Sequence, residues 1–202
     1  MTLHFMPLRG AAFAVLVLAA VAPARAAVFD FAALAPTNAA TPLSIAADGI
    51  TAAFTSPSGG GAFTTEGSVF ATLGAAVLVN NNFAPEELDI GFSTGLSWIS
   101  FGFATEDFGA ATPLTLQAWL QGQPVGAAVA TGTPAASGFP EGVLSFGGGL
   151  FDAVSITDAD APGFAIGAVD AVVPEPATAA LFGAALLGLA GARRRGEKEI
   201  AP

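Results

Sequence analysis

Few side chains in this sequence have the types needed for catalysis. The 202 residues contain one histidine, His4, in an N-terminal segment with the pattern of a removable leader, and no cysteine. None of the six basic residues lies between positions 27 and 192. Without these groups, a Ser-His-Asp triad, a Ser-Lys dyad, a histidine or thiolate zinc site and an arginine-clamped phosphoryl site cannot be built. Carboxylate pairs remain but stand in no recognisable motif, so we expect a noncatalytic protein.

Three aspartates near the end of the chain are candidate metal ligands. Asp152, Asp158 and Asp160 are hard oxygen donors of the kind that calcium prefers, and Glu141 or Asp170 could fold close to them. The alternative is a solvated turn, because Asp-x-Asp here lacks the ligand spacing of an EF-hand. Calcium through this region is therefore one hypothesis, and no other cofactor is expected.

Trp119 is the candidate ligand-binding residue. Leu114, Leu116, Ala118 and Leu120 alternate with polar residues, and Trp119 shares their polar side. An aromatic ring in that position could stack on a sugar ring. The alternative is that a loop or a sheet edge covers the indole.

The charge of the central segment excludes one class of partner. Residues 27–192 hold 14 of the 16 acidic residues and no Lys or Arg. Binding of nucleic acid depends on basic side chains that displace counterions, so we expect no nucleic-acid partner. The same composition leaves apolar burial and backbone hydrogen bonds to hold the fold.

The central segment has the pattern of short strands. Apolar or alternating runs are broken by Gly, Pro, Asn and Asp, and no long run has a 3.6-residue period. Gly59–Gly61 and Gly147–Gly149 are expected to be turns. Strands are predicted at Val28–Leu34, Ile50–Thr55, Ser68–Leu73, Ala76–Val79, Glu87–Phe92, Leu96–Ala104, Leu114–Gln121, Val125–Thr131, Val143–Phe146, Phe151–Thr157 and Gly163–Val172. The prediction is an all-β, two-sheet jelly-roll-like sandwich, with a closed barrel as the alternative.

The N-terminus predicts export. Met1 to Arg9 form a short charged region, Gly10 to Ala22 are apolar, and Ala24-Arg25-Ala26 supplies the small-x-small pattern that signal peptidase reads. We expect residues 1–26 to be a signal peptide and signal peptidase to be a partner. The apolar run is too short to favour a permanent anchor.

The C-terminus combines three features in a fixed order. Pro174, Glu175 and Pro176 are followed by an apolar stretch that would rise about 24 Å as a helix over residues 177–192. That length is short of a hydrocarbon core of roughly 30 Å, which suggests a temporary inner-membrane anchor. Arg193, Arg194 and Arg195 then predict a cytoplasmic end, with the acidic segment outside.

This order resembles the PEP-CTERM sorting signal of exported bacterial proteins. The resemblance implies recognition of residues 174–202 by exosortase, a membrane-embedded transpeptidase-like cysteine protease, in bacteria that secrete exopolysaccharide. Phe151–Ile156 and Gly163–Ile166 also resemble the jelly-roll domains often placed before this signal. Gly167 and Ala168 stand where those domains usually have Asp-Asn.

Together these features give a three-part chain: a signal peptide at 1–26, a β-sandwich domain at 27–173 and a sorting tail at 174–202. Two functions fit. One is a noncatalytic cell-surface or extracellular-matrix protein associated with exopolysaccharide or biofilm, held briefly in the inner membrane and then released outside. The other is a carbohydrate-binding module that uses Trp119, with calcium optional.

Overall fold

The computed structural model describes residues 25–34, 37–39, 41–56, 63–67, 69–74, 76–80, 86–108, 110–158 and 163–174. Within these ranges the regular structure is all strand, which confirms the all-β prediction. The strands are β1 (Arg25–Phe29), β2 (Thr37–Ala39), β3 (Leu43–Ala47), β4 (Ile50–Thr55), β5 (Phe63–Gly67), β6 (Ala76–Asn80), β7 (Glu86–Thr105), β8 (Pro113–Leu120), β9 (Gln123–Thr131), β10 (Thr133–Pro134), β11 (Pro140–Asp158) and β12 (Phe164–Val173).

Two long strands, β7 and β11, organise the fold. They pair antiparallel with each other along most of their length, and the main strand order is β2-β5-β6-β12-β7-β11-β8-β9. Residues 86–92 of β7 and 153–158 of β11 lie with β3, β4, β8 and β9, which we call arm A. Residues 98–105 and 140–147 lie with the other strands, which we call arm B. The pairing is continuous, so a jelly-roll of two separate sheets stays a prediction.

One large apolar core draws on both arms. Its biggest members are phenylalanines, which suits a fold without internal salt bridges from Lys or Arg. Phe29 of arm B and Phe92 of β7 have ring centroids 6.0 Å apart, and Phe92 in turn contacts Phe151 edge-on at 6.5 Å. Phe31, just after β1, meets Phe54 of β4 at 5.5 Å. These contacts join the arms through side chains as well as through β7 and β11.

The structure changes several local predictions. The strand predicted at Val28–Leu34 ends at Phe29, and residues 31–34 form a turn. Residues 69–73, expected to belong to a strand, form a bent loop with Leu73 packed on the outer side of arm B. A Cβ at Gly102 would lie 2.8 Å from Leu73 Cδ2, so the absence of a side chain there makes room for the leucine. Gly147–Gly149 do not form a turn but lie inside β11, where the pairing register shifts between Gly147 and Phe151 and Gly148 has φ of 120°.

Glu141 fastens this loop to the sheet. It is 5 % exposed and accepts hydrogen bonds from the backbone N–H groups of Ala71 and Thr72, each at 2.7 Å. The Ser137 hydroxyl, at 2.6 Å, and the Thr72 hydroxyl also donate to it. Burial alone would raise the pKa of Glu141, but these hydrogen bonds outweigh burial and hold the pKa below the ordinary carboxyl value. The loop is therefore held by an ionised carboxylate.

The two ends of the described body lie side by side. β1 pairs antiparallel with β12, and Arg25 stands opposite Val173. Arg25 and Ala26 thus belong to β1 although they precede the predicted signal-peptide cleavage site, and the pairs from Ala27 onward lie in the part that cleavage would retain. Residues 1–24 and the expected helix at 177–192 lie outside the described residues. No helix within the described ranges is long and apolar enough to cross a bilayer.

We expect Glu141→Gln to lower the free energy of unfolding by about 1–3 kcal/mol at neutral pH, because an amide cannot accept all of these hydrogen bonds. Because the pKa of Glu141 is lower in the native state than in the unfolded state, its ionisation stabilises the fold at pH values above the unfolded pKa of 4.5. This stabilisation is lost as the pH falls through the native pKa. Denaturant unfolding of the full chain should therefore show that the free energy of unfolding falls less between pH 7 and pH 3 in the variant than in the wild type.

Glu87→Gln is the matched control. Partial burial, with the charge of Asp89, raises the pKa of Glu87, so its linkage has the opposite sign. This variant should not be destabilised at neutral pH. Equal losses in both variants would contradict the assigned role of Glu141.

Candidate functional site

Trp119 lies on the outward side of arm A. In β8, Leu114, Leu116 and Ala118 are fully buried, whereas Trp119 is partly exposed on the opposite side of the strand. The alternation that predicted an outward Trp119 thus matches the strand as folded. Whether the residue binds a ligand stays a prediction.

A hydrogen-bond chain across three strands orients the indole. Trp119 Nε1 donates to Ser155 Oγ on β11 at 3.2 Å, and Ser155 Oγ donates to Asp89 Oδ1 on β7 at 2.6 Å. The register explains the contact, because Ser155 stands directly opposite Asp89 in the β7–β11 pairing. Because its N–H is engaged by Ser155, the exposed part of the indole is its carbon rings.

A shallow cleft of about 440 Å³ opens beside the indole. Ala53, Gly91 and Ala153 lie in one cross-strand row that leads to Trp119 through successive pairs. All four line the cleft. Because this row has at most a methyl group at each position, the larger indole stands above a low floor. Thr55, Asp89 and Ser155 add polar groups to the lining, a composition typical of sites that hold a ring by stacking and fix it by hydrogen bonds.

The turn next to the cleft is held by Asp152. The β8–β9 hairpin turns through Gln121 and Gly122, with φ of 51° and 75°, as expected for a two-residue turn of the I′ type. The Gln121 N–H donates to both carboxylate oxygens of Asp152 at 3.1 Å. Gly122 lines the cleft, so Asp152 supports the edge of the cleft through this turn.

The cleft lies in a negative environment. Asp89 lines it, and Glu87 projects two residues away on the same side of β7. Partial burial and then the charge of Asp89 raise the pKa of Glu87. No Lys or Arg occurs in residues 27–192 to offset these charges.

The structure separates Asp152 from Asp158, two of the three proposed calcium ligands. Asp152 and Asp158 lie six residues apart on β11, which is about 20 Å along a strand. Asp158 is buried, and Asp160 lies outside the described residues. Among the described residues, no group of three His, Cys, Asp or Glu side chains is placed to hold a metal ion. Asp152 and Asp158 therefore cannot share one ion in this fold, and a site that includes Asp160 stays a prediction.

Gly167 and Ala168, which replace the Asp-Asn of the resembling domains, lie at a different cleft. They line an opening of about 400 Å³ on arm B, together with Asp30 and the Thr72-Leu73-Gly74 loop. The loop held by Glu141 thus forms one wall. None of the described residues that line this cleft is aromatic.

Sequence reasoning did not single out Trp98. This tryptophan of β7 is 38 % exposed on the outward side of arm B. The signal was present in the sequence, since Ile99, Phe101 and Phe103 alternate as buried residues and leave Trp98 on the other side. Its indole lies over Gly147, where a Cβ would come within 3.0 Å of Trp98 Cδ1.

The C-terminal motif begins where the described body ends. β12 closes at Val173 and Pro174 follows as its last described neighbour, whereas Glu175, Pro176, Arg193, Arg194 and Arg195 lie beyond the described residues. Residues 172–195 match the family model of the PEP-CTERM protein-sorting motif. They form the sorting signal of an exported protein, with a C-terminal membrane-anchoring segment.

The resemblance of the C-terminal segment to the PEP-CTERM sorting signal is thereby confirmed. The chain carries the PEP-CTERM protein-sorting motif, the signal that the exosortase sorting system recognises.

Several solved structures are similar to the chain at low identity. A family 29 carbohydrate-binding module complexed with mannohexaose has 10% identity and a TM-score of 0.40, covering 75% of this chain and 93% of that one. A low affinity xylan binding module from Roseburia intestinalis has 13% identity and a TM-score of 0.31, covering 63% and 98%. A module bound to GalNAc has 15% identity and a TM-score of 0.30, covering 48% and 76%. No curated protein sequence matches the chain.

We expect Ser155→Ala to increase the mobility of the Trp119 indole. The substitution removes the hydrogen-bond acceptor of Trp119 Nε1 and the hydroxyl that donates to Asp89. In a Trp98→Phe background, which leaves Trp119 as the single tryptophan, the fluorescence anisotropy should fall and the fold should lose about 1 kcal/mol. Ser145→Ala, an exposed position on the same strand, is the control. Unchanged anisotropy in Ser155→Ala would show that the serine does not orient the ring.

Proposed function

We propose that this protein is a noncatalytic component of the cell surface or extracellular matrix, associated with exopolysaccharide or biofilm. The observation that carries the proposal is the sorting-motif match at residues 172–195. In the proposed sequence of events, signal peptidase removes residues 1–26, and residues 177–192 hold the chain briefly in the inner membrane. An exosortase-like protease or transpeptidase then cuts near Pro174-Glu175-Pro176 and releases the β-sandwich domain, residues 27–173, from the membrane.

The composition supports a binding or assembly role over catalysis. The body lacks the basic and thiol groups that activate most nucleophiles, and the Asp89 carboxylate is already engaged by Ser155. We further propose that arms A and B are the two layers of a jelly-roll-like sandwich. The buried phenylalanine contacts between the arms support that arrangement.

A second candidate function is carbohydrate binding at the Trp119 cleft. It is favoured by one specific observation: an oriented, partly exposed indole beside a row of small residues, with polar groups within the same cleft. A pyranose ring could stack on the indole while its hydroxyls reach Thr55, Asp89 or Ser155. The two candidates are compatible, since a sorted surface protein can act through glycan contacts.

Replacing Pro174, Glu175 and Pro176 by alanine should trap a precursor with an intact C-terminus in the membrane of the native host, because the C-terminal cleavage signal is lost. The wild-type protein should be recovered outside the cell without residues 177–202. Mass spectrometry of both fractions measures this, and Pro134→Ala on exposed β10 is the control. An intact Pro202 in the extracellular wild-type protein would overturn the proposed processing.

For the second candidate, we expect Trp119→Ala to weaken binding to any selected glycan about tenfold, the effect of losing roughly 1.4 kcal/mol of stacking. A glycan array with the purified full chain selects the ligand, and titration calorimetry measures the affinity. Trp98→Ala is the matched control on arm B. No binding to any glycan would reject the function, and a loss confined to Trp98→Ala would place the site on arm B.

A further inference from the structure

The charges around the Trp119 cleft restrict which sugars it can accept. Asp89 lines the cleft, and Glu87 lies on the same side of β7. The sequence from residue 27 to residue 192 contains no Lys or Arg that could pair with an acidic sugar. A uronate or a sulfated unit would therefore enter a negative field with no counter-charge, which opposes binding both at a distance and on contact.

The same geometry favours a cation at one particular place. Ser155 donates to Asp89 Oδ1, which fixes this carboxylate at the cleft and leaves its second oxygen as a further acceptor. Glu87 and Asp89 lie two residues apart on one side of β7, and partial burial followed by the charge of Asp89 raises the pKa of Glu87. The two carboxylates therefore repel each other when both are ionised. A positive group placed beside both would relieve that repulsion in addition to making its own hydrogen bonds.

The carboxylates alone would not define a site. The position of the ligand is set by the Trp119 indole and by the low floor of Ala53, Gly91 and Ala153, which accommodate a flat ring. In the β7–β11–β8 register, the Asp89–Ser155 pair lies two positions along β11 from the Ala153–Trp119 pair, on the same side of the sheet. A substituent on a sugar ring seated at the indole can therefore reach Asp89.

We propose that the cleft beside Trp119 selects glycans that carry free amino groups, with a pyranose ring on the indole and its ammonium group beside Asp89 and Glu87. This inference rests on the proposed carbohydrate binding. It adds the class of ligand: a cationic amino-sugar polymer, distinguished from neutral and from acidic polysaccharides.

Three β-1,4-linked hexasaccharides that differ only at C2 provide the test: glucosamine, N-acetylglucosamine and glucose hexamers, with a hexauronate as the acidic probe. Calorimetry with the full chain at about 20 mM salt should show the glucosamine hexamer binding about tenfold more tightly than either neutral hexamer. The hexauronate should not bind. The preference should shrink in about 0.5 M salt, because partly exposed charges are screened.

The variants separate a built site from attraction to an acidic surface. Asp89→Asn keeps an acceptor for Ser155 but removes the charge, and it should reduce the amino-sugar preference to about twofold or less. Glu87→Gln should also reduce the amino-sugar preference, and it leaves the Ser155–Asp89 hydrogen bond intact. It therefore tests the role of the charge even if Asp89→Asn folds poorly. Asp170→Asn, which removes an exposed charge from β12 of arm B, should leave the preference unchanged.

The outcomes are distinct. Glucosamine-hexamer binding that survives Trp119→Ala, or a preference reduced equally by Asp170→Asn, would mean unspecific attraction and would overturn the inference. Binding of all three hexamers with equal affinity, lost in Trp119→Ala, would overturn the amino-sugar selection while the carbohydrate-binding function stands. If no hexamer and no arrayed glycan binds, the function itself fails.

Discussion

The antiparallel pairing of β7 with β11 is the interaction on which the other parts of the fold depend. These two strands pass through both arms, and the other described strands pair with one of them directly or through one to three intervening strands. The pairing sets the register that places Ser155 opposite Asp89, and hence the orientation of Trp119. At the other end of the same pair, Glu141 stands opposite Ala104 and holds the 69–74 loop. The cleft and the loop are therefore built on one ladder of backbone hydrogen bonds.

Local sequence pattern predicted the class of fold and several strands, because burial of one side leaves a period of two. Ile50–Thr55 is reproduced as β4, and the side of Trp119 followed from β8. The same pattern divided β7 and β11 into two strands each, since glycines usually end a strand, whereas here a register shift absorbs Gly147–Gly149. Phe70 and Leu73 suggested a strand because they are apolar, but their burial comes from packing on the outside of arm B.

Contacts between distant residues were beyond that reasoning. The bond between Ser155 and Asp89 joins residues 66 positions apart, and it depends on a register that no local pattern encodes. The hydrogen bonds from Ala71 and Thr72 to Glu141 also join distant residues, with separations of 70 and 69 positions. The aspartates near the C-terminus illustrate the converse: Asp152 and Asp158 are close in sequence, but an extended strand separates them. The sorting motif needed no tertiary contact, because its recognition depends on a contiguous segment.

The pairing of Arg25 with Val173 brings the beginning and the end of the body to one edge of arm B. A domain with neighbouring termini is a modular unit: it can be placed in a surface loop of another protein without stretching its host, and its ends can be joined and the chain opened elsewhere. The fold thus lends itself to insertion and circular permutation. For an exported protein trimmed at both ends, the two cuts would also fall next to the same pair of strands, so the rest of the surface would stay intact through maturation.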